Sequence, residues 1–127
     1  MELKETDEVS INPNITMSAE KNIEKATAQL KDLGIDVNDA LIEKIVKALG
    51  IANQSVDASL VSATDPEELA RVKTNFLEKK LGLSDAAAND AAISEVMEKM
   101  KGIKQKSRGA VYYMLTEKFG KEDVYLG

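Results

Sequence analysis

Four times along the chain an apolar stripe of helical spacing runs into Leu or Phe and then Gly: Leu33-Gly34-Ile35, Leu49-Gly50-Ile51, Leu81-Gly82-Leu83 and Phe119-Gly120. Glycine enters the left-handed backbone region without steric cost, so the pattern is that of a helix end at which the next apolar residue folds back on the last turn. Four such stops require at least four helices. No stretch alternates apolar and polar residues long enough to make a convincing strand. The expected fold is therefore all-α, a single domain of five or six short helices in a bundle-like array. The Gly spacings are unequal, which argues against a solenoid of regular repeats.

The first helix is expected from about Ser18 to Leu33, with Ile23, Ala26, Leu30 and Leu33 on one face. The second opens near Asn38, carries Asp39 and Glu43 early and Lys44 and Lys47 late, as the helix dipole prefers, and buries Leu41, Ile42, Ile45, Val46 and Leu49. A short helix capped by Ser55 is expected within Ile51 to Thr64. Asp65-Pro66-Glu67-Glu68 is the strongest local signal, an Asp cap with Pro at the first helical position and Glu68 reaching back. The helix it starts, Pro66 to Leu81, has two apolar stripes at 100° per residue: Leu69, Val72 and Phe76, then Ala70, Leu77 and Leu81. Lys73 and Lys80 fall between the stripes. A helix apolar on two flanks is expected near the centre, with these two lysines holding their ammonium groups at the mouth of a groove. Ser84 or Asn89 is expected to start the next helix, on which Ile93, Val96, Met97 and Met100 share a face. Ser107 caps the last long helix, with Val111, Tyr112, Leu115 and Phe119 on one face and Tyr113 and Glu117 pointing away.

At 127 residues the chain is long enough for one core that hides about two-thirds of the surface its unfolded form exposes. The acidic stretch 1–16 has no period and is expected to be a mobile tail, leaving 17–127 as the helical domain. Neither Cys nor His occurs, which excludes thiol nucleophiles, disulfides, zinc sites of the usual kind and a Ser-His relay. The longest apolar run, Ala110 to Leu115, is six residues, against the ~20 that a spanning helix requires. The amino terminus is acidic instead of basic-then-apolar, so no secretory signal and no membrane association are expected. With Cys absent, a cytoplasmic setting is the expectation.

Asp57-Ala58-Ser59-Leu60-Val61-Ser62, Asp65 through Val72, Asn75-Phe76-Leu77 and Lys79-Lys80-Leu81-Gly82-Leu83 together resemble a small bacterial family, domain of unknown function 2853. Near the carboxyl end Lys106-Ser107-Arg108, Tyr112-Tyr113 and Glu117-Lys118-Phe119-Gly120 fit the same family. The resemblance covers roughly residues 21–120 and implies an all-helical, cytoplasmic protein. It implies no activity and carries over no site residue.

Candidate chemistry is sparse. Lys99, Lys101, Lys104, Lys106 and Arg108 set five positive charges in a stretch without an acid, in a chain of net charge −5. With Gly102 in the loop and a helix start at Ser107, the segment has the cations and free backbone N–H groups that an anion such as RNA or a phosphorylated metabolite requires. Tyr112 and Tyr113 follow within two turns and offer rings for base stacking. The plain alternative is a solvated basic loop, and the negative total charge weighs against nucleic acid as partner. A helix-turn-helix reading of the first two helices fails on charge, because Asp36, Asp39 and Glu43 would meet phosphates with repulsion. Ser18-Ala19-Glu20-Lys21 has the S-x-x-K spacing without its supporting elements, and Ser18 serves as a cap. Glu67 and Glu68 read as capping residues, and the polar run Ser55 to Asp65 lacks the acid spacing of a calcium loop. No complete catalytic set and no cofactor motif is present. The expected function is a non-enzymatic helical protein acting through protein contacts, as a homodimer or with another protein. Tyr113, Val124, Tyr125 and Leu126 are the candidate contact residues, expected to stay partly exposed. Anion binding by the segment 99–108 is the alternative.

Overall fold

The computed structural model describes residues 19–49 and 60–127. The tail expected over 1–16, the Ser18 cap and the Ser55 cap lie outside the described residues. Helix α1 spans Ala19–Asp32 and α2 spans Asp39–Leu49. Between them Gly34 takes φ 78°. There the N–H of Ile35 reaches back to the Leu30 carbonyl and that of Gly34 to Lys31, at 3.0 and 2.9 Å. This double closure satisfies carbonyls that the helix end would leave bare. Asn38 then caps α2, its side-chain oxygen accepting from the Leu41 N–H at 3.2 Å.

Leu60–Val61 forms a two-residue strand, β1, where the sequence pointed to the end of a short helix. It pairs antiparallel with β2, Lys106–Ser107, Leu60 opposite Ser107 and Val61 opposite Lys106. Helix α3 begins as expected at Pro66 behind the Asp65 cap, but it is α-helical only over Pro66–Arg71 and continues as a π-helix over Val72–Glu78. The wider turn resolves the two stripes. At 100° per residue Val72, Phe76, Leu77 and Leu81 spread over about 180° of the helix. With hydrogen bonds lengthened to five residues the advance falls to roughly 80°, and the four lie in one sector of about 80°. All four are buried together, whereas Ala70, outside the π stretch, is exposed. The stop at Gly82 is stretched in the same way, the Leu83 N–H bonding the Leu77 carbonyl at 2.9 Å.

Helix α4, Ala86–Lys99, is capped by Asp85, neither Ser84 nor Asn89. Asn89 lies inside it, buried, its amide donating to the Leu83 carbonyl at 3.0 Å. Helices α5, Arg108–Lys118, and α6, Asp123–Leu126, complete the chain.

The central element is α5 and not α3. Every residue from Gly109 to Thr116 is buried, and α5 packs on α1, α2, α4 and both strands. The run Ala110 to Leu115 thus belongs to a helix apolar on all sides, which a protein of this size places at its middle. Tyr113 shows the consequence. Expected at the surface, it is fully buried because its position has no solvent-facing side. Its hydroxyl donates to the Asp36 carbonyl at 3.2 Å and accepts from the Asn38 N–H at 2.7 Å, tying the α1–α2 turn to the core. Burial pushes the phenol above its ordinary pKa.

Candidate functional site

Ser107 is both the end of β2 and the cap of α5, its hydroxyl accepting from the Ala110 N–H at 3.2 Å. The arm that leads into it is gripped on two edges. β1 pairs with one edge. On the other, the Gln29 amide of α1 accepts from the Ser107 N–H and donates to the Gln105 carbonyl, both at 2.8 Å, taking the place of a further strand. Gln29→Ala removes both bonds and is expected to cost about 1–3 kcal/mol. Chemical denaturation measures that loss, and amide exchange should show it concentrated at residues 105–107.

Arg108 closes the other side. Its guanidinium donates to Glu68 at 2.6 Å and to the Leu60 carbonyl at 3.0 Å, and it lies 5.8 Å from the centre of the Tyr112 ring. Arg71 holds the second Glu68 oxygen at 3.0 Å. Glu68 therefore does not reach back to its cap. Asp65 alone accepts from the Glu67 and Glu68 N–H groups. Burial pushes the Glu68 carboxyl up, but hydrogen bonds from Arg108 and Arg71 outweigh it and hold the group below its ordinary value. With side chains only 15% and 14% exposed, Arg108 and Glu68 form a largely desolvated pair that joins β1, α3 and α5.

Beside this clasp lies a hollow of about 410 Å³ whose lining includes Val61, Ser62, Thr64, Glu68, Lys104 and Lys106. The Ser62 and Thr64 hydroxyls stand 3.4 Å apart on its rim. Lys104 is exposed. Lys106 is 7% exposed and gives one of its N–H groups to the Ile103 carbonyl at 2.7 Å. The Glu68 charge is matched by two arginines, so the lining is net positive.

The basic segment does not form one patch. Lys104 and Lys106 line this hollow, and Arg108 backs it through Glu68. Lys101 pairs with Glu98 at 2.8 Å. Lys99 faces a different hollow with Ile35, Val96, Met114 and the paired Glu95 and Lys118. The α5 N-terminus is not open to a ligand either: Gly109 and Ala110 are buried, and an added Cβ at Gly109 would come 2.9 Å from Val46. Tyr112 is buried in a stack on Phe76. Neither tyrosine offers a free face to a base.

Of the residues expected at a groove, Lys73 pairs with Asp90 of α4 at 3.2 Å, and Lys80 sits 5.1 Å from the centre of the Tyr125 ring. Of those expected to meet a partner, Val124 and Leu126 are each 39% exposed, Tyr125 is half-buried and Tyr113 is inside. Sequence reasoning missed Gln29, which stands beside Asn22, Lys25 and Asp32 on a mixed flank of α1 and carries no local signal of its own. Ser62 and Thr64 stand out in the sequence only as members of a polar run without the acid spacing of a calcium loop.

The family model for proteins of unknown function DUF2853 matches residues 24–123. The chain belongs to this family. The match takes in every residue of the clasp and of the hollow beside it, so both are built from the part of the chain that defines the family. No curated protein matches the chain. The family carries no assigned function. Among the described residues no helix is long and apolar enough to cross a membrane.

Proposed function

We propose that this protein is a non-enzymatic binding module that holds the phosphate of a small metabolite in the hollow beside the clasp. The observation that carries the reading is the meeting of Lys104 and Lys106 with the Ser62 and Thr64 hydroxyls around about 410 Å³, a volume suited to a small molecule. Ammonium and hydroxyl donors are what phosphate oxygens accept from, and a partly buried lysine is screened less by salt than an exposed one. Burial of Tyr112 and Tyr113 and the net charge of −5 favour a metabolite over RNA. A phosphorylated ligand and the lack of Cys both fit a cytoplasmic protein.

The test is a ¹H–¹⁵N shift titration with inorganic phosphate and glycerol phosphate at ~20 and ~200 mM salt. Saturable shifts at residues 61–64 and 104–106, weakened at the higher salt, are the expected result. Shifts scattered over lysines throughout the surface, or none, would overturn the reading. Shifts that depend on protein concentration and centre on α6 would support a second reading, a protein contact through Val124 and Leu126, which their exposure favours.

A further inference from the structure

A second hollow, of about 190 Å³, lies where the end of α2, the π-helical stretch and α6 meet, and Leu49, Asn75, Phe76, Lys80, Tyr112 and Tyr125 line it. We infer that this is a binding site for one small aromatic ring bearing a carboxylate.

Size comes first. An apolar cavity of about 150 Å³ is enough to take up benzene, so this hollow has room for a single ring and a small substituent. Its walls suit such a guest, because three of the lining side chains are aromatic. Phe76 and Tyr112 are stacked on each other in that wall, with centroids 3.8 Å apart and planes at 10°.

The polar groups fix the substituent. Lys80 faces the Tyr125 ring at 5.1 Å and has no carboxylate within ion-pair distance among the described residues. A cation whose partner is a ring gains by exchanging it for an anion, or by holding both. Asn75 supplies an amide donor at the same lining. Tyr125 is pushed up to about 12, burial being the larger cause and Tyr112 the lesser, so its phenol remains a neutral donor at ordinary pH. A ring with a carboxylate satisfies this set, and a neutral ring leaves the cation unserved.

The backbone supplies an independent observation. Asn75 and Phe76 belong to the π-helical turns Val72–Glu78. Turns of that kind are rare and recur at functional sites, and here the turn that gathers the core residues also sets Asn75 and Phe76 on the wall of the hollow. On the opposite wall Tyr125 belongs to α6, which is only four residues long, and is its half-buried anchor between Val124 and Leu126.

The experiment uses the full chain and follows ¹H–¹⁵N shifts during titration with benzoate and with benzamide, its neutral counterpart of nearly equal shape. Benzoate is expected to give saturable shifts at Asn75, Phe76, Lys80 and Tyr125, and to bind at least ~10-fold more tightly than benzamide. Lys80→Met, a change at an exposed position that leaves the core intact, should remove the preference for benzoate while weak binding of both rings persists. Tyr125→Ala should weaken both. No saturable shift with ~20 mM benzoate, well above the millimolar range of weak ligands, would overturn the inference. So would an unchanged benzoate preference in Lys80→Met. The two titrations report on different residues, 61–64 and 104–106 for the clasp and Asn75, Phe76, Lys80 and Tyr125 here, so success or failure of one is read separately from the other.

Discussion

Arg108→Ala is expected to lower the free energy of unfolding by about 3 kcal/mol, the scale for removing one partner of a desolvated ion pair. The variant strips Glu68 of its 2.6 Å bond and leaves the Leu60 carbonyl without the guanidinium that now serves it. It also removes the cation beside Tyr112 and the stem that packs there. The effect must depend on pH with a definite sign. Glu68 is held below its ordinary value in the folded protein, so what it contributes is complete only above the ordinary carboxyl value, from about pH 5 upward, and is lost as the pH falls through the depressed value. The gap between wild type and variant should therefore be widest near neutrality and narrow in acid. Urea titrations at pH 7 and at pH 3.5 measure it. A gap that stays constant would mean that the loss is one of packing and not of the pair.

Gly109→Ala is expected to cost about 2 kcal/mol, although alanine is the better helix former. A methyl group at this position would stand 2.9 Å from Val46, 3.4 Å from Ala26 and 3.5 Å from the Ser107 hydroxyl. Val46 is a buried, branched side chain with little freedom to turn aside. The first turn of α5 can lie against α1 and α2 only because glycine is there. Val46→Ala alone should also destabilise, by leaving a void. The double variant should lose less than the sum of the two, since each change relieves the other. Simple additivity would show that Gly109 does not abut Val46 as the structure has it.

Much of this fold is legible because its signals are local. The stops at Gly34, Gly82 and Gly120 take φ 78°, 72° and 65°, as a helix end followed by a folded-back residue requires. The Asp65 and Asn38 caps likewise act within three residues of themselves. Two kinds of feature escape such a reading. The π-helical stretch appears on a wheel of 100° as two stripes, and only the changed advance per residue unites Phe76 with Leu77 and Leu81. Strands of two residues, for their part, are too short to show alternation.

The site suffered most from distance along the chain. Lys99 to Arg108 is one basic run in sequence, but a helix end, a loop and a strand turn its members in different directions. Two of them face a hollow whose other wall is Ser62 to Thr64, and the brace on that arm is Gln29, 76 and 78 residues from the groups it bonds. Glu68 looked like a capping residue for want of any local sign of Arg108, which lies 40 residues away. Ala110 to Leu115 is too short to span a membrane, and its six consecutive apolar residues make instead a helix buried on every side.

The most direct measurement of the central claim, that the clasp presents a phosphate site, is the thermal midpoint of the full chain in phosphate against chloride at matched ionic strength. A ligand that binds only the folded state raises stability by RT ln(1 + [L]/Kd), which is about 2.7 kcal/mol at a hundred times Kd. Phosphate should raise the midpoint of the wild type beyond chloride, and Lys104→Gln, a change at an exposed residue, should abolish the difference while leaving the midpoint in chloride unaltered. Equal midpoints in the two salts, or a phosphate effect that survives Lys104→Gln in full, would contradict the account.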